Sequence, residues 1–95
     1  MQGGEPARLI VDPKRVKNRV WHHVKVLDEA GRGVPGAVLS ILDSEKDGLV
    51  RKHADQFGEL LYTIELEEEK EREIVIAVAG YGQGAFRRTW RGRRE

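Results

Sequence analysis

Apolar side chains return at every second position in short runs, and no segment carries the apolar stripe of period 3.6 that a helix needs. The clearest run is residues 59–66, where Leu60, Tyr62, Ile64 and Leu66 fall on one side and Leu61, Thr63 and Glu65 on the other. Successive side chains of a strand point to opposite sheet faces, so this is the pattern of a strand half-buried on one face. Residues 20–27 repeat it, with Val20, His22, Val24 and Val26 opposed to Trp21, His23, Lys25 and Leu27. In the last run Phe86, Arg88 and Trp90 share a face opposite Arg87, Thr89 and Arg91. Residues 37–42 and 74–79 are nearly continuous apolar runs and read as buried strands. Residues 8–11 form a short first strand ended by Asp12-Pro13, because proline cannot donate to a ladder. Residues 49–54 read as an edge strand marked by the adjacent cations Arg51 and Lys52. The run Glu67 to Glu73 is highly charged, has no apolar stripe and reads as a solvated loop.

Turn chemistry falls between these runs. In DEAGRGVPGA, residues 28–37, Asp28 is followed by Gly31 and Gly33, which let the chain reverse after Val26. Val34-Pro35-Gly36-Ala37 fits a type II turn, with proline setting φ at the second place and Gly36 accepting positive φ at the third. Asp55 and Gly58 frame another turn, and Gly80-Tyr81 follows the last buried run. About seven short strands and no helix predict an all-β chain folded as a two-sheet antiparallel sandwich. The expected core is Val24, Val26, Leu39, Ile41, Leu60, Tyr62, Ile64, Ile76 and Val78. Ninety-five residues suit one domain, read as a flexible lead-in over 1–7, a sandwich over 8–92 and a tail over 93–95.

The segments VKVLDEAGRGVPGAVLSILD, HADQFGELLYTI and IVIAVAGYGQGAF together resemble carboxypeptidase regulatory-like domains. These belong to the prealbumin-like (transthyretin-like) group of Ig-type β-sandwiches, and bacterial Ig-like surface repeats share the pattern. Asp28, Gly31 or Gly33, Pro35-Gly36-Ala37, Asp55-Gln56-Phe57-Gly58 and Gly80-Tyr81 stand at the family's turn positions. Ala54 replaces the usual threonine before Asp55, and Leu60 and Leu61 replace an aromatic. The resemblance covers residues 20–90 and implies an Ig-like, prealbumin-like antiparallel sandwich of about seven strands. It also implies a non-catalytic spacer or docking module of a larger cell-surface or secreted protein. The partners implied are neighbouring domains or another protein.

Charge is divided unevenly along the chain. Residues 1–25 carry net +4, residues 26–75 net −7 and residues 76–95 net +4, within an overall +1. Dense opposite charge beside one Met, one Asn and no Cys is a thermophile-like composition. Lack of cysteine excludes disulfides and thiolate metal sites. No apolar run approaches the ~20 residues of a membrane helix, and no apolar signal segment is read at the start. Residue chemistry leaves localisation open; the resemblance favours an extracytoplasmic one.

Several sharper functions fail on spacing. GYGQGA, residues 80–85, matches a dinucleotide fingerprint, but no helix and second strand follow it. His22 and His23 are strand neighbours on opposite faces and cannot chelate one metal. Ser40 lies inside an apolar run and Ser44 in a turn without a nucleophile elbow. Hydroxyisourate hydrolases share the prealbumin-like fold, but WRGRR at residues 90–94 does not supply their YRGS signature. Asp43, Glu45 and Asp47 fall short of the six or more oxygens calcium takes. No catalytic, cofactor-binding or metal-binding residue is therefore expected. FRRTWRGRR supplies the candidate interaction surface: Arg87, Arg88, Trp90, Arg91, Arg93 and Arg94. Cations interleaved with aromatics can bind phosphates and stack bases, so the alternative reading is a small nucleic-acid-associated β domain. The same cations are equally placed to pair with the glutamates of residues 67–73.

Overall fold

The computed structural model describes residues 7–79 and 84–94. Seven strands form, and no helix, among these residues: β1 Arg8–Val16, β2 Arg19–Leu27, β3 Val38–Asp43, β4 Leu49–His53, β5 Glu59–Glu65, β6 Glu71–Val78 and β7 Phe86–Arg91. One sheet has the order β1-β2-β5 and the other β4-β3-β6-β7, with every neighbouring pair antiparallel. The chain is thus an all-β sandwich, and none of its described elements is a helix able to cross a membrane.

Strand parity builds the core. Val20, Val24, Val26 and Ile64 of the three-stranded sheet are buried, as are Leu39, Ile41, Ile74, Ile76 and Val78 of the four-stranded one. Leu60 and Tyr62, also expected inside, pack against this core but are only partly buried, because β5 is an edge of its sheet. Two strands are longer than their sequence indicates. β1 continues through Pro13, opposite His22, to Val16. It is an edge strand, where one row of main-chain groups faces away from any partner and a missing N–H is tolerated. β6 begins at Glu71 rather than Ile74, so part of the charged run is strand and not loop. Glu71 and Glu73 lie beside the cations of β7, reaching Arg91 at 4.0 Å and Arg87 at 3.9 Å. Between them Arg72 turns inward.

The glycine-rich corner and the Asp55 turn are copies of one another. Asp28 Oδ1 accepts the N–H groups of Ala30 and Arg32, each at 2.9 Å, while Asp55 Oδ1 accepts those of Phe57 and Glu59 at 2.8 and 2.9 Å. In each loop the aspartate N–H bonds the carbonyl four residues on at 2.8 Å. In each, a glycine three residues on takes positive φ, Gly31 at 82° and Gly58 at 75°. The Val34 carbonyl accepts from Ala37 N–H at 3.3 Å, and Gly36 has φ 67°, which is the expected type II turn after Pro35. Gly33 serves closeness instead of positive φ: a Cβ there would overlap the Phe57 carbonyl. The candidate turn at Gly80-Tyr81 lies outside the described residues.

The sandwich has two distinct poles. β1 starts with Arg8 beside Leu27, next to the glycine corner. β7 ends at the other pole, where the Arg15 guanidinium donates to the Arg91 carbonyl at 2.8 Å. There Asn18 Oδ1 accepts from Arg93 N–H and Asn18 Nδ2 donates to the Arg93 carbonyl, both at 2.8 Å. Arg93, at the start of the expected tail, is thereby fastened to the β1–β2 connection.

Candidate functional site: the arginine edge and the polar cluster beneath it

β7 is an edge strand, and its alternation sorts the candidate side chains into two groups. Arg87 and Arg91 lie on the outer face with Thr89 and meet the β6 glutamates already named. Arg94, beyond the strand, reaches Glu69 at 3.5 Å. These exposed pairs are worth at most ~1 kcal/mol each. Arg88 stacks its guanidinium 4.1 Å from the Trp90 ring centroid. Trp90 itself is buried. It is therefore withdrawn from the surface on which it was expected to stack a base, because its parity on β7 points into the sandwich. Gly92 completes the segment: a Cβ on it would overlap the Glu67 carbonyl, and Glu69 N–H and Lys70 C=O bond its main chain at 3.0 and 2.9 Å.

Under this edge the two sheets are joined by a set of polar groups centred on the buried His22 and Asp43. Trp90 Nε1–H donates to His22 Nε2 at 3.1 Å, and His22 Nδ1 lies 3.0 Å from the Tyr62 carbonyl. A carbonyl can only accept, so Nδ1 carries the proton and the ring is the neutral tautomer. The His22 ring also meets Phe86 edge-on, at 5.9 Å between centroids. Tyr62 O–H donates to Asp43 Oδ2 at 2.6 Å. Arg72 grips the same carboxylate with two bonds, Nε to Oδ1 at 2.8 Å and Nη2 to Oδ2 at 2.6 Å. Its third bond, from Nη1, reaches the Glu65 carbonyl in the opposite sheet at 3.0 Å. Glu45 N–H adds a fourth donor to Asp43 at 3.0 Å. Every strand except β1 and β4 contributes a group to this set.

The alternation of residues 20–27 puts His22 on the inward face of β2, but no sequence pattern joins it to Tyr62, Asp43, Arg72 and Trp90. Arg72 lies in the charged run that reads as a loop, and Asp43 reads only as part of an acidic turn. One signal was present. Asp43 shares the inward parity of Leu39 and Ile41, and a carboxylate on a buried face requires a cation or several donors.

Burial, outweighing the Tyr62 carbonyl and the Asp43 charge, lowers the pKa of His22 below its ordinary value. The folded chain then holds His22 neutral at pH values where the unfolded chain protonates it. Its contribution to stability is complete above about pH 6.5 and declines as pH falls below that, by at most ~1.4 kcal/mol per pH unit. Urea titrations between pH 7 and pH 5 should show this slope, and His22→Phe should flatten it. An unchanged slope would mean that His22 takes up its proton without leaving the fold.

A groove of about 740 Å³ runs between the open edges β1 and β7, bordered by Pro13, Arg15, Glu69, Arg88, Arg93 and Arg94. Four of the five candidate arginines, Arg88, Arg91, Arg93 and Arg94, converge on it, whereas Arg87 does not. Arg15 lines it from the far side and was not singled out in the sequence. No family model, curated protein or solved structure matches the chain.

Proposed function

We propose that this chain is a non-catalytic Ig-type sandwich module, of the prealbumin-like class, serving as a spacer or docking domain of a larger cell-surface or secreted protein. The observation that carries this reading is the opposition of its poles. β1 starts at the glycine corner and β7 ends beside the Lys17-Asn18 connection, so neighbours attached at the two ends are held apart by the length of the sandwich. The strand order supports the Ig-type assignment, since β1-β2-β5 facing β3-β6-β7 is the common frame of such domains, with β4 here paired to β3. The titratable groups of the interior bond one another and hold the sheets together, which suits a supporting module.

Small-angle scattering on two full chains joined in series tests the spacer role. The expected result is a maximum dimension about twice that of one chain, as end-to-end modules require. A dimer whose maximum dimension barely exceeds that of a single chain would defeat the reading.

A further inference from the structure

We propose that the groove between β1 and β7 receives an acidic peptide segment of a protein partner, extended along the open edge of β7. This deepens the docking half of the reading above and rests on it.

The charge of the groove calls for an anion. Among the described residues, Arg15, Arg88 and Arg93 form no ion pair with a carboxylate, whereas Arg87, Arg91 and Arg94 each have one. Arg15 is nevertheless held in a fixed pose by neutral acceptors. Its Nε donates to the Lys17 carbonyl at 2.7 Å, and its Nη2 to Asn18 Oδ1 at 3.1 Å and to the Arg91 carbonyl at 2.8 Å. Burial, and then the charge of Arg93, hold the Arg15 pKa below its ordinary value. A guanidinium oriented beside other cations, with no counter-charge of its own, is placed to meet a carboxylate. Glu69 is the acid bordering this space, and it already serves Arg94.

The edge of β7 specifies the form of that anion. The Arg91 carbonyl faces away from β6, toward Arg15. In an antiparallel strand the N–H and C=O of one residue point the same way and alternate along the chain. Thr89 and Arg87 therefore aim their main-chain groups at the open edge as well. An extended peptide can add there as a further strand, taking main-chain bonds from β7 and setting alternate acidic side chains against the arginines. A nucleic acid has no matching main chain, and the aromatic it would stack on, Trp90, is buried under Arg88. A second copy's β7 is disfavoured too, since it would set arginines opposite arginines.

Fluorescence anisotropy on the full chain tests this with a labelled peptide of about ten residues in which glutamate alternates with valine. A proline-interrupted peptide of equal charge and a single-stranded oligothymidylate of similar length serve as the other probes. The expected result is binding of the alternating peptide at low salt that weakens at about 0.2 M. The proline-interrupted peptide and the oligonucleotide should each bind at least about tenfold more weakly. Arg88→Gln with Arg93→Gln should raise the peptide Kd about tenfold. Arg51→Gln with Lys52→Gln, two cations removed from the distant β4 edge, should change it by less than about twofold. Equal binding of the interrupted peptide, or an equal loss in the β4 variant, would overturn the strand-addition site. Absence of peptide binding at low salt would overturn this inference alone and leave the spacer reading standing. Tighter binding of the oligonucleotide would overturn both.

Discussion

Replacing Gly58 by alanine is expected to destabilise the sandwich by on the order of 3–5 kcal/mol, a large part of what holds a domain of this size together. Two costs coincide at this position. Gly58 has φ 75°, a left-handed conformation that disfavours any residue with a Cβ by ~1–2 kcal/mol. A Cβ there would also lie 2.6 Å from the Val34 nitrogen and 2.7 Å from the Val26 oxygen. Both atoms are main chain, so no side-chain rotation can relieve the overlap. The same two atoms bond each other, Val34 N–H to Val26 C=O at 2.9 Å, and Val26 N–H bonds the Gly58 carbonyl at 2.8 Å. Moving Gly58 therefore breaks the junction where β2, the glycine corner and the β4–β5 turn meet. Gly36 is the control. Its φ of 67° is similar, but beyond its two chain neighbours no atom lies within 4 Å of the position its Cβ would take. Gly36→Ala should cost only the conformational part, ~1–2 kcal/mol. Urea unfolding of the two variants separates the effects, and a difference below about 1 kcal/mol would show that the corner gives way without loss.

That junction also explains why the corner could be recognised in the sequence while its partner strand ends could not. Asp28 and Asp55 announce their loops by local chemistry: an acceptor side chain, then a glycine three residues later. The connection between β1 and β2 lacks that pattern, and Asn18 is its one turn-favouring residue. The chain turns there at Lys17-Asn18, with Lys17 at φ 55° and neither glycine nor proline present. Pro13 reads as the end of the strand because it cannot donate to a ladder, although on an edge strand that missing N–H is tolerated. The start of β6 is illegible for a related reason. Glu71, Arg72 and Glu73 have poor strand propensity on their own, and their place is set by cross-strand pairing with Arg91, Trp90 and Thr89. The groove depends on the same kind of distant pairing. Arg15 and Arg93 are separated by most of the chain and are brought together through Asn18, so local pattern could not join them.

Asp43→Asn should be the most damaging change of charge, costing about 3 kcal/mol at neutral pH because it leaves the Arg72 guanidinium without its anion. Asp43 is fully buried, and the Arg72 side chain is only 15% exposed. Burial alone would raise the Asp43 pKa. The Arg72 bonds, with those from Tyr62 and Glu45 N–H, outweigh it and hold the pKa at about 2. The same arrangement, burial first and then Asp43, pushes the Tyr62 phenol up to about 12, so it remains a donor throughout the working range. An unfolded aspartate protonates near its ordinary 3.8, whereas the folded one keeps its charge to about 2. The contribution of Asp43 is therefore complete above about pH 4 and is lost as pH falls toward 2, amounting to about 2 kcal/mol. The Asn variant has no carboxyl at this position to titrate. Stability curves for the two proteins should lie furthest apart above about pH 4 and converge on acidification to pH 2. Tyr62→Phe, which removes one neutral donor and keeps the charge pair, should cost only ~1 kcal/mol. If the Asn and wild-type curves run parallel from neutral pH to about pH 2, the carboxylate is not what joins the sheets. Replacing Asp43 and Arg72 together by leucine and methionine, with Tyr62→Phe, should recover stability relative to Asp43→Asn, because no buried charge is left unpaired.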